Sequence, residues 1–218
     1  MRGLQNSEFF TLEADAWFER NQCSVLVEDD DLTTRMVLSK SITCKRILDV
    51  GCSAGHRLAR LVKAGAEGYG IDPSERAIGA GKKMYSNLNL QRGVAHILDF
   101  DEEFFDIVYL AFVFHWIDRS YLLKTVAEID RVLKNAGRLI IADFCPNRPR
   151  KNRYHYRTDV ELFTYKQLYW DIFTASHLYQ QVERFEFQLP CSSKRRQEAD
   201  DNAAAVVELR KIIDVSVG

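Results

Sequence analysis

The chain has 218 residues, 46% of them hydrophobic, with 30 basic against 31 acidic side chains, the profile of an ordinary globular protein. A formal net charge of −1 provides no whole-molecule attraction to nucleic acid or to an anionic membrane, so such a partner would need a local patch. Five scattered cysteines with no C-x-x-C pair point to neither a disulfide framework nor a zinc site, and no metal is expected. Acidic residues precede any apolar run at the N-terminus, and no stretch of about 18 consecutive apolar residues occurs, so a cytoplasmic protein without signal or membrane anchor is expected.

Residues 1–43 read as a helical cap with an acidic loop at 28–31, in which Phe9, Phe10, Trp17 and Phe18 either close over a ligand or pack as core. From Cys44 to Phe144 short apolar runs alternate with amphipathic stretches, the pattern of a parallel sheet covered by helices. The predicted strands are 46–50, 67–71, 94–98, 105–114 and 138–144, and the predicted helices include 54–64 and 120–133. A Pro- and Arg-containing loop, 146–157, precedes an aromatic helix over 161–173. Two further apolar segments, 179–187 and 203–213, form a terminal hairpin at the sheet edge. Residues 44–218 thus make one α/β domain.

Ligands of open α/β sheets bind at the carboxyl ends of the strands. The first such loop reads LDVGCSAGH, a glycine turn that lets a ligand approach the backbone and meet helix N-terminal amides. Gly51, Ser53 and His56 occupy the three positions of a G-x-G-x-x-G dinucleotide fingerprint, which disfavours a nicotinamide oxidoreductase. The second loop reads GIDPS, with Asp72 ending its strand 23 residues after Asp49. A carboxylate there accepts the two hydroxyls of an adenosine ribose. The competing reading is a capping box made by Asp72, Pro73 and Glu75.

Four strings in order, ILDVGCSAGHRLARL, YGIDPS, FDIVYLAFVFHWI and EIDRVLKNAGRLIIADF, resemble the class I S-adenosylmethionine-dependent methyltransferases, in particular the small-molecule group. The resemblance implies a Rossmann-like, doubly wound and mostly parallel seven-stranded sheet whose last two strands are the antiparallel hairpin. It implies S-adenosylmethionine as cofactor, with Asp49, Gly51, Cys52, Ser53 and Gly55 around its methionine end and Asp72 with Pro73 at the ribose. Where the family carries an acid after the third strand for the adenine amino group, this chain has Val94, so Asp99 and Phe100 are the remaining adenine candidates.

Methyl transfer from a sulfonium needs alignment above all, and a base only when the nucleophile is protonated. His115, His155 and Tyr154 are the candidate catalytic residues, with packing as the alternative for each, and Asp143 is a pocket-lining candidate. Arg148, Arg150, Lys151, Arg153 and Arg157 share one loop without an acid, either as a solvated surface or as a grip on an anionic acceptor. The segment 150–173 also resembles methyltransferases encoded with bacterial surface-polysaccharide genes, which implies a sugar-like acceptor. The alternatives are an RNA methyltransferase and a non-catalytic protein that keeps the fold without using the cofactor.

Overall fold

The computed structural model describes residues 13–25, 31–154, 156, 161–189 and 202–212. Two helices, α1 (Ala14–Val25) and α2 (Leu32–Leu38), precede the sheet. The core then runs β1 (Arg46–Val50), α3 (His56–Lys63), β2 (Glu67–Asp72), α4 (Glu75–Met84), β3 (Asn89–Arg92), β4 (Phe105–Ala111), α5 (Arg119–Val132) and β5 (Leu133–Phe144). A short hairpin of β6 (Arg150–Arg153) and β7 (Phe163–Lys166), a turn of helix α6 (Trp170–Ala175) and the pair β8 (Tyr179–Gln188) and β9 (Ala203–Lys211) complete it.

The main sheet has seven strands in the order β3-β2-β1-β4-β5-β9-β8. The first five are parallel, and β9 and β8 are antiparallel additions beyond β5. This is the doubly wound, Rossmann-like arrangement expected from the alternation of short apolar runs. Strand geometry sends successive side chains to opposite faces. Leu48 and Val50 therefore join one core cluster with Leu110, Ile129, Trp170 and Phe173. Ile47 joins the other with Met36, Leu58, Leu61 and Tyr109. Both faces of β1 and β4 are buried, which is why their sequences read as continuous apolar runs.

Three elements differ from the sequence expectation. The third strand is Asn89–Arg92, not 94–98, and Val94 and Ile97 form only an isolated bridge across a turn. Pairing with β2 selects NLQR because Leu90 is buried there, while the more apolar VAHIL is spent on the bend. The fourth strand stops at Ala111, since Phe112 takes φ +59° and Phe114–Trp116 winds into a 3₁₀ turn. Residues 161–173 are not one helix: Phe163–Lys166 pairs antiparallel with Arg150–Arg153, and the helix starts only at Trp170. The basic segment 146–157 is accordingly strand over Arg150–Arg153. Phe9, Phe10, His155 and Arg157 lie outside the described residues. No helix among the described residues is long and apolar enough to cross a membrane.

Candidate active site

Two loops at the carboxyl ends of the parallel strands build the site. After β1 the chain bends through Gly51 at φ +78°, Ser53 at φ +51° and Gly55 at φ +80° into α3. A β-carbon on Gly51 would overlap a methyl of Val113, so the bend has room only for glycine. The amides of Gly51 and Cys52 both donate to the Ile71 carbonyl, at 2.8 and 3.0 Å, which ties the bend to β2.

Asp72 joins the same two loops. One carboxylate oxygen accepts the Ser53 amide at 2.8 Å and the other accepts the Ser74 amide at 2.8 Å. Burial pushes its pKa up to about 6 against the pull of those two amides. The competing capping role belongs two residues on: Ser74 is the N-cap of α4, accepting the Ala77 amide at 3.0 Å. Asp72 is thereby released from capping and faces the cleft.

That cleft has a volume of about 390 Å³, within the range of small-molecule sites. Gly51, Ser53, Asp72 and Pro73 line it on one side, and Phe112, Val113 and Trp116 on another. Helix α1 covers it with Ala14, Trp17 and Asn21. Phe18, one residue on, packs instead against Ala54 and Ala77, so the two readings of the N-terminal aromatics divide between neighbouring residues. The helix is held in place by Asp15, which accepts from the Ser74 hydroxyl at 2.6 Å and from the Arg76 amide at 3.1 Å. A smaller apolar hollow of about 70 Å³ shares Gly51, Pro73, Val113 and Trp116 and extends to Val94, Ala95 and His96.

Other anticipated residues stand further back. Asp49 is buried, accepts the Tyr109 hydroxyl at 2.6 Å, and has its pKa pushed up to about 7 by burial. The Cys52 thiol is buried at the spot where a side chain on Gly70 would sit, and Gly55 lies against Leu88 and Leu90. None of the three forms a wall of either hollow. Asp99 is exposed and Phe100 packs with Tyr69, Phe104 and Phe105, and neither lines the cleft or the apolar hollow. Among the cleft-lining residues that sequence reasoning missed are His56 and Arg57. His56 is buried with Nδ1 unpartnered and its pKa lowered to about 4 by burial, while Arg57 reaches Asp31 at 3.0 Å.

His115 sits beside the cleft wall, its ring 5.4 Å from Trp116 and 6.3 Å from Phe112. Its Nδ1 lies 3.0 Å from Asp143, whose second oxygen accepts the His115 amide at 3.2 Å. Asp143 is thus a buried support of the imidazole rather than a wall of the cleft. Tyr154 is buried, accepts from Arg20 at 2.8 Å, and meets Trp116 edge-on at 4.6 Å. Burial drives its pKa upward, away from the ionised form. Among the described residues no group of three or more His, Cys, Asp or Glu side chains is arranged to hold a metal.

Residues 48–141, the span that builds both loops, match the family described as a methyltransferase domain. A 131-residue stretch is 30% identical to the uncharacterized methyltransferase YcgJ of Bacillus subtilis, covering 57% of this chain and 51% of that protein. A 114-residue stretch is 33% identical to the demethylmenaquinone methyltransferase of Thermotoga maritima, covering 50% of this chain and 47% of that one. The chain spans about half the length of these curated relatives. The crystal structure of a SAM-dependent methyltransferase from Methanosarcina mazei aligns with a TM-score of 0.68 at 16% identity, over 82% of this chain and 98% of that one. That likeness concerns the fold.

Proposed function

We propose that this protein transfers a methyl group from S-adenosylmethionine to a small acceptor bound beside the cleft. One observation carries the reading: the Gly51 bend and the Asp72 carboxylate, from two different loops, open onto the same 390 Å³ cleft. The donor set fits the cofactor. Each Asp72 oxygen accepts one backbone amide and keeps a lone pair for a ribose hydroxyl. The walls at Val113 and in the adjoining apolar hollow suit a flat base. The unpartnered Nδ1 of His56, with Asn21 and Arg57, offers polar contacts to an amino-acid end.

The bound cofactor supplies a methyl group already activated by the positive sulfur. The protein then has to hold the acceptor, exclude water and, for a protonated nucleophile, take up one proton. Trp17 and Trp116 both line the cleft. His115 is the residue we assign to the proton: with Nδ1–H donated to Asp143, Nε2 is left as the acceptor. Tyr154, fixed by Arg20 and packed on Trp116, shapes the wall. The basic hairpin packs on the same turn, and its Lys151 and Arg153 are exposed, which favours an anionic or sugar-like acceptor.

Titration calorimetry with S-adenosylmethionine and S-adenosylhomocysteine tests the proposal. The wild-type chain should bind both, and Asp72→Asn should weaken binding by roughly 10- to 150-fold, the loss of one charge-assisted hydrogen bond of about 1.5–3 kcal/mol. Absence of binding by the wild-type chain would favour a non-catalytic protein, the reading to which Val94 in the apolar hollow lends itself.

A further inference from the structure

At the amino ends of β1, β4 and β5, on the opposite edge of the sheet from the cofactor cleft, lies a separate hollow of about 410 Å³. Its wall carries Lys40, Lys45, Lys134, Arg138 and Arg210, and a single carboxylate, Asp106. Lys45 and Lys134 share that carboxylate, at 3.3 and 3.1 Å, and its other oxygen is already taken by the Arg46 amide at 3.0 Å. Lys40 is neutralised from behind by Glu208 at 3.0 Å and Glu183 at 3.3 Å. Five cations therefore meet three carboxylates, which leaves a surplus of two positive charges around one hollow.

The surplus falls on Arg210 and on the lysine pair that shares Asp106. Arg138 of β5 and Arg210 of β9 are directly opposed partners in the antiparallel ladder, so their side chains leave the sheet on the same face. Like charges in that position destabilise a sheet. Arg138 reaches Glu208 only at 3.5 Å, and its buried Nη1 has no hydrogen-bond partner. Arg210 forms no ion pair among the described residues. Two adjacent guanidinium forks and two lysines around a hollow of this size match the oxygens of a phosphate chain, because each fork pairs with two oxygens at once.

We propose that this hollow is a second binding site, for a small phosphate-bearing anion of about diphosphate size, whose charge relieves the Arg138–Arg210 repulsion. It stands independently of the cofactor cleft, since no residue is shared between the two walls.

The probe is inorganic pyrophosphate, titrated by calorimetry and by thermal shift into the whole chain, with sodium chloride and sulfate at matched ionic strength. Saturable pyrophosphate binding is expected, with a rise in melting temperature that the two salts do not reproduce. Arg210→Gln and Lys134→Gln should each weaken it by about tenfold, with S-adenosylmethionine affinity within about twofold of wild type. Both side chains are at least partly exposed, so if one variant fails to fold the other decides. Three results would each overturn the proposal: no saturation at millimolar pyrophosphate, an equal response to chloride, or variants that bind as the wild type does.

Discussion

Gly51→Ala probes the geometry on which the proposed cofactor site rests. At φ +78° an L-residue carries a cost of about 1–2 kcal/mol. The added methyl would also overlap Val113 Cγ2, and such overpacking costs about 1–3 kcal/mol. The variant should therefore lose about 2–5 kcal/mol of stability. Because Val113 forms a wall of both hollows, its displacement should also weaken S-adenosylmethionine by more than about tenfold. Val113→Ala in the same background removes the overlap and leaves the backbone strain. A double-mutant cycle by guanidinium unfolding should then show a favourable coupling of about 1–3 kcal/mol, with cofactor affinity partly restored. Strict additivity of the two substitutions, or wild-type affinity in Gly51→Ala, would refute the claim that this bend and Val113 shape a common site.

Two further outcomes concern the buried residues Asp49 and His115. Asp49 has a folded pKa of about 7, above its ordinary value of 3.8, so its ionisation opposes folding: the stability it contributes is full below about pH 4 and is lost as pH rises towards 7. Asp49→Asn keeps an acceptor for the Tyr109 hydroxyl. Its stability relative to wild type should grow between pH 4 and 7, by as much as about 4 kcal/mol, and then level off. A difference that stays flat with pH in urea unfolding would contradict this. His115→Gln should lower the methyl-transfer rate by about 10²- to 10⁴-fold with cofactor affinity within about twofold. A rate within twofold of wild type removes His115 from the chemistry.

The parallel core and the two site loops were legible because the residues that make them act locally. Gly51 and Gly55 mark positive φ angles, Asp72 ends a strand, and the buried runs of β1 and β4 announce strands covered on both faces. What stayed hidden depends on partners distant in sequence. FTYK becomes a strand only because RKNR lies alongside it, and NLQR is selected over the more apolar VAHIL by its ladder with β2. His56 and Arg57 read as ordinary first-turn residues of a helix until α1 folds over them to make a cleft. The competing capping reading of Asp72 rested on the Pro that follows it, and the hydroxyl two residues on does that work. The opposed arginines of β5 and β9 are 72 positions apart, and only the register of the antiparallel ladder brings them together.

A crystal structure of the chain grown with S-adenosylhomocysteine bears most directly on the whole account. Density for the nucleoside between Gly51 and Asp72, with the ribose hydroxyls within hydrogen-bond distance of the Asp72 carboxylate, is the predicted result. Density at another place, or a cleft that stays empty at saturating ligand, would contradict it.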